Sequence, residues 1–288
     1  MRAISPSELT DFTFCQKLWF NKRKLGLVSK KIGHKDLAMM MGVVVGWYMD
    51  QRFRGVYPDF AGYFEDVLSQ ARNQGRVYDY GITEEVIYGL LRKINEHIQS
   101  LTTYQESWLK GGTVIASEPI MYDWGEARQD LIIEGPGGEG IVADFKCKYS
   151  DKQNSFAISR DIDLYGNQKE LYPLAWNSQD HQLKITKMRF IYSTPGKAPI
   201  VEDVLVNPRR QIRWLKHYDT VVKQIHDLEL TPDEMCDRVT ENPYHITPWG
   251  YECEFRTYCM SGEHDQGALT EFIQIERKEK KDVFTLKN

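Results

Sequence analysis

Apolar residues recur at helical spacing through most of the first hundred positions. Ser5-Pro6-Ser7-Glu8 supplies a helix start, with proline and an acid in the first turn. Leu9, Phe12, Phe14, Cys15, Leu18, Trp19 and Phe20 follow, and Lys17, Lys22, Arg23 and Lys24 make the far end basic. The pattern predicts a helix over 5–25. A second is expected over 35–56, apolar from Leu37 to Met49, with Gly42 and Gly46 on one face. Two more are expected over 58–75 and 84–110; Val86, Leu90, Leu91, Ile94, Ile98 and Leu101 form the stripe of the latter.

The period changes at Gly111-Gly112. Val114–Ala116 and Pro119–Tyr122 read as strand, with Glu118 between them; Asp130–Ile133 reads as a second strand and Ile141–Lys148 as a third, joined by a turn at Pro136-Gly137-Gly138. Such an order predicts an antiparallel meander. A helix is expected over 161–178, with a kink or early end at Pro173, because proline lacks a donor and disfavours helical geometry at Tyr172. Lys187–Ser193 and Ile200–Val206 read as strands, and Arg209–Leu228 as a helix. The fold class is therefore α/β. A mainly helical region covers 1–110, a strand-bearing core 111–230, and an irregular C-terminal segment 231–288.

The strand Ile141-Val142-Ala143 ends in charge. Alternation puts Asp144, Lys146 and Lys148 on one face and Phe145 and Cys147 on the other. A carboxylate beside an ammonium at the end of an apolar strand is costly unless paired or used. Gln168 and Tyr172 are four apart and share a helical face, which Tyr165 joins.

Composition narrows the partners. The chain has 288 residues, 41% hydrophobic and 27% charged, as in soluble globular proteins. Its net charge of −4 means that a nucleic-acid partner would need local rather than global positive charge. No apolar run is long enough for a membrane span. The N-terminus lacks the apolar core of a signal peptide, so a cytoplasmic location is expected. The cysteines, Cys15, Cys147, Cys236, Cys253 and Cys259, are odd in number, which argues against a disulfide framework and leaves metal binding open.

Five features occur in a fixed order: Ser5-Pro6-Ser7-Glu8-Leu9 with Phe12 and Cys15; Asp130-Leu131-Ile132; Asp144-Phe145-Lys146; Gln168 with Tyr172; and Cys253 with Cys259. In that order they resemble the PD-(D/E)xK nuclease superfamily, in its RecB-type branch, which includes exonuclease V and the CRISPR adaptation nucleases. The resemblance implies a restriction-endonuclease-like core, a mixed sheet flanked by helices. It also implies a metal-dependent DNA nuclease, an exonuclease on single strands or ends, with recombination or CRISPR proteins as partners. Mg²⁺ or Mn²⁺ would be held by Asp130, Asp144 and the Phe145 carbonyl, with Glu118 as a further ligand, and Lys146 would serve catalysis. Gln168 and Tyr172 would hold that lysine or contact DNA, and Lys148 and Tyr165 would add DNA contacts.

Two departures from the family pattern stand out. Many members carry a metal-binding histidine in the second helix, where this chain has Gly46. Members with a [4Fe–4S] cluster use an N-terminal cysteine and a C-terminal Cys-x2-Cys-x5-Cys, which would join the C-terminal segment to the first helix; here Gly250 stands three before Cys253. Three readings of Cys15, Cys253 and Cys259 follow: a cluster with Cys236 or His245 as fourth ligand, a four-ligand zinc site, or no metal. Those departures also motivate a rival reading, a non-catalytic DNA-binding or regulatory protein on a nuclease fold.

Overall fold

A computed structural model describes residues 4–116, 120–122, 125–127, 129–147, 166–229, 253–261 and 266–275. The elements among them run α1 (Pro6–Phe14), α2 (Gln16–Trp19), a π-helical turn (Phe20–Lys24), β1 (Leu27–Ser29), β2 (Lys31–Ile32), α3 (His34–Phe53), α4 (Phe60–Asn73), β3 (Val77–Tyr78), α5 (Glu84–Thr103) and α6 (Gln105–Leu109). There follow β4 (Thr113–Ala116), β5 (Ile120–Tyr122), β6 (Gly125–Ala127), β7 (Leu131–Glu134), β8 (Gly140–Cys147), α7 (Gly166–Asn177), β9 (Ile185–Ser193), β10 (Ile200–Leu205) and α8 (Pro208–Glu229). The C-terminal part gives α9 (Arg256–Ser261), α10 (Gln266–Leu269) and β11 (Phe272–Gln274).

The organising sheet has five strands in the order β10-β9-β8-β7-β4. Its pairs are antiparallel except β8 with β9, which run parallel with α7 in the crossover between them. β5 and β6 form a separate antiparallel pair. The meander expected from the sequence is present as β4, β7 and β8, with the β5–β6 hairpin between its first two strands.

Alternation along the strands sorts side chains between two cores. Leu131, Ile133, Ile141, Ala143, Phe145 and Ile191 pack on one face against α3, α4 and α5, through residues such as Met41, Val45, Phe64 and Ile94. Ile132, Val142, Met188, Phe190 and Tyr192 pack on the other against Leu171, Tyr172, Ala175 and Trp176 of α7. The result is a mixed sheet covered by helices on both sides.

Arg189 pins the sheet to the helical layer. It is 2% exposed, bonds both oxygens of Asp203 across β9–β10, and donates to the carbonyls of Trp108 and Leu109 at the end of α6. Those carbonyls are the groups a helix terminus leaves unsatisfied.

The N- and C-terminal segments meet. β1 pairs with β11, matching Leu27 to Gln274 and Ser29 to Phe272. Leu18, Leu27, Phe255, Tyr258 and Phe272 close a small core beneath that pairing.

Several expected boundaries differ. The helix over 5–25 breaks at Cys15, whose extended backbone caps α2, the Leu18 amide donating to its thiol sulfur at 3.3 Å. The helix over 84–110 breaks at Tyr104. α7 does not end at Tyr172; it continues through Pro173 to Asn177, with Ala175 and Trp176 buried beyond the proline. Burial of that face outweighs the lost backbone bond, as tertiary packing does when it overrides local propensity.

Candidate active site

β7 and β8 are in a constant register, Leu131 opposite Ala143 through Glu134 opposite Gly140. Extending it by one residue sets Asp130 opposite Asp144. Residues directly opposite in an antiparallel pair project to the same face with Cβ atoms about 5 Å apart, and like charges so placed repel. The sheet therefore brings two carboxylates together at one end, where β7 begins and β8 runs on.

Asp130 is fixed from the neighbouring strand: the Phe145 amide donates to its Oδ2. The N–H and C=O of one strand residue point toward the same neighbour, so the Phe145 carbonyl also faces the Asp130 side. Asp144 is 5% exposed, and its Oδ2 is buried without a formed hydrogen bond, its charge met by an ion pair with the Lys146 ammonium. Lys146 Nζ donates onward to Gln168 Oε1 at 2.8 Å. The first turn of α7 thus holds the lysine that alternation aims at it. Tyr172, one turn further along, is buried in the core between α7 and the sheet.

The electrostatics follow from this placement. Burial, and then the neighbouring Asp144 charge, push the Asp130 carboxyl up from 3.8 to about 7; the Phe145 amide and Lys146 work the other way. Asp50 on α3 adds a further repulsive charge at Asp130. The sequence pattern did not single out Asp50; the signal was its position four residues after Gly46, on the same helical face. Gly46 itself lies over the site: a Cβ built there would meet Asp130 Oδ1 at 3.7 Å, ordinary contact. Cys147, on the other face of β8, packs on the helical core, and burial followed by the Asp130 charge pushes its thiol up to about 12.

Two converging carboxylates, one unable to ionise fully at neutral pH without compensation, fit a divalent cation. Mg²⁺ is commonly held by one or two carboxylates, its remaining positions filled by waters and substrate phosphate oxygens. Among the described residues no three His, Cys, Asp or Glu side chains are grouped to hold a metal ion. Cys15, Cys253 and Cys259 do share the apolar patch beneath β1 and β11. Yet Cys15 caps a helix, and the Cys253 thiol is pushed up by burial. Glu118, Lys148, Tyr165, Cys236 and His245 lie outside the described residues.

Residues 3–260 match the PD-(D/E)XK nuclease superfamily. The chain belongs to that superfamily. Its members are generally phosphodiester hydrolases and typically use Mg²⁺ or Mn²⁺. No curated protein matches the chain. Among solved structures it is similar to the crystal structure of SSO0001, at 15% identity over 67% of this chain and 76% of that one, with a TM-score of 0.27, too loose to bear on fold or function. No helix among the described residues is long and apolar enough to cross a membrane.

Proposed function

We propose that this superfamily member is a metal-dependent deoxyribonuclease acting on single-stranded DNA or DNA ends as an exonuclease. The observation that carries the reading is the union of Asp130, Asp144 and Lys146 at one end of the sheet, with the lysine tethered to Gln168. Asp130 and Asp144 would hold the cation, and the Phe145 carbonyl faces the same side as a third oxygen. A cation bound there supplies Lewis acidity toward the phosphate and lowers the pKa of a bound water.

The chain's own groups do the positioning. The Lys146 ammonium, held on one side by Asp144 and on the other by Gln168, would orient the attacking water or meet charge developing on the phosphate. Burial of Asp144 and Asp130 keeps that field little screened. Asp130 also gains a fixed orientation from the Phe145 amide, so the pair needs little reorganisation when substrate arrives.

End-labelled linear and circular single strands, incubated with Mg²⁺, Mn²⁺ or chelator, test the reading. The expected result is metal-dependent shortening of the linear strand, an intact circle, and loss of cleavage in Asp144→Ala with binding retained. Wild type and Lys146→Ala behaving alike with every metal would sink it.

A further inference from the structure

From Leu37 to Met49, α3 carries no charged residue. A helix apolar on all sides is ordinarily buried on all sides. This one is not. Leu37, Met41, Val44, Val45 and Met49 form its buried face. The other stripe, Met39, Gly42, Val43, Gly46 and Trp47, follows the i, i+3, i+4, i+7, i+8 spacing of a single helical face. Met39 is 57% and Val43 53% exposed. A Cβ built on Gly42 would touch nothing within 4 Å. Trp47 belongs to none of the core clusters; it stacks on Tyr63 of α4, with ring centres 3.9 Å apart and planes at 17°.

The stripe leads to the carboxylates, since Gly46 lies directly over Asp130 Oδ1. A permanent protein cover along it would therefore close the site, and whatever occupies it must come and go with substrate. We propose that this face of α3 is a track for the bases of an unpaired DNA strand whose scissile phosphate lies at Asp130 and Asp144. The proposal rests on the nuclease reading above and adds the side from which the strand is held.

The chemistry of the face selects bases over phosphates. Phosphate contacts need cations, and the stripe has none between Leu37 and Met49. Exposed apolar side chains and a stacked indole–phenol pair match the flat faces of bases, which stack without regard to sequence. The two glycines remove side chains where the strand must approach the helix most closely, next to the reacting phosphate. A duplex cannot use such a track, because its bases are already stacked on each other and present only edges in the grooves. The strand's phosphates then face away from α3, toward Lys146 and Gln168.

Fluorescence anisotropy of labelled 12-mers with the full chain in Ca²⁺ tests the track. Three probes serve: a single strand, the same strand with abasic sites in place of its bases, and the matched duplex. Wild type should bind the intact strand about tenfold tighter than the abasic strand or the duplex. Val43→Ser, at an exposed position that leaves the core unchanged, and Trp47→Ala should each lower affinity for the intact strand toward that for the abasic one. Val43→Ser should melt like wild type, and Trp47→Ala, which gives up the stack on Tyr63, should stay folded with a slightly lower Tm. Equal binding of intact and abasic strands by wild type, or unchanged base dependence in both variants, overturns the track. Cleavage in Mg²⁺ separates this from the broader reading. A wild type that cleaves while the variants bind normally removes the track and keeps the nuclease. A wild type that cleaves nothing while the variants lose base-dependent binding keeps the track and removes the nuclease.

Discussion

Lys146 Nζ reaches Gln168 Oε1 at 2.8 Å while it pairs with Asp144, so one ammonium ties β8 to the helix that covers it. The lysine and the glutamine should therefore differ in kinetics. On the proposed nuclease reading, Lys146→Ala removes a donor to the reacting phosphate and should lower kcat by about 10²–10³-fold. Gln168→Ala removes only the tether, and a hydrogen bond to a charged group is worth about 1.5–3 kcal/mol, so a loss of about tenfold or somewhat more in kcat is expected with KM for DNA nearly unchanged. A Gln168→Ala enzyme that loses affinity but not kcat would show that Gln168 binds DNA rather than positioning Lys146.

Asp130, raised from 3.8 to about 7 by burial and then by Asp144, makes the metal-free protein pH-sensitive. Its folded-state pKa lies above its unfolded one, so the folded state holds the extra proton between those values. Stability should fall as pH rises from about 4 to about 7, by up to about 1.4 kcal/mol per unit, and level off above. Asp130→Asn should flatten that slope and raise Tm in chelator at pH 8. Cation binding must displace the proton, so Mg²⁺ affinity should climb with pH up to about 7, and titration calorimetry in buffers of different ionisation heat should show proton release. A pH-independent affinity with no proton released would refute this assignment.

Much of this site was legible in the sequence because strand alternation has a fixed period. Once Asp130 and Asp144 are placed on paired strands, parity alone assigns Lys146 to their side and Cys147 to the helical core. Asp50 was legible only as a position on the Gly46 face; that its charge bears on Asp130 follows from the docking of α3. The break at Cys15 was not legible, because cysteine is not among the usual helix-capping residues, yet its sulfur accepts from Leu18. Pro173 misled in the opposite direction: its local penalty is real, but Leu171, Tyr172, Ala175 and Trp176 are all buried around it. The hairpin of Ile120–Tyr122 and Gly125–Ala127 has three-residue strands, too short to show a period.

Gly46 leaves room above Asp130 for a side chain to enter. An alanine Cβ there would sit in ordinary contact with Asp130 Oδ1, so Gly46→Ala should fold and gain about 0.5–1 kcal/mol from helix propensity. Gly46→His places an imidazole beside the carboxylates, and imidazole favours transition metals over Mg²⁺. The expected result is tighter Mn²⁺ binding with little change for Mg²⁺, read by calorimetry. Equal gains for both ions, or for neither, would mean that the position does not face the cation.

Arg189 is buried, while its partner Asp203 lies on the open strand β10 and pairs with Lys110 as well. Arg189→Met leaves Asp203 with Lys110 as its cation and takes the donor from the Trp108 carbonyl, while the Leu109 carbonyl keeps the Gly112 amide. The unmet Trp108 carbonyl then sets the cost, about 1–3 kcal/mol. The double variant Arg189→Met/Asp203→Leu removes the carboxylate as well and should recover little, since Asp203 on the open strand keeps water and Lys110 as partners. Recovery should be incomplete, because the Trp108 carbonyl remains unmet in both variants. Urea melts of the four proteins in the cycle measure this directly. Complete recovery in the double variant would assign the whole effect to the Asp203 charge and none to the helix end. No loss in Arg189→Met would mean that the guanidinium is not needed to join the sheet to the helical layer.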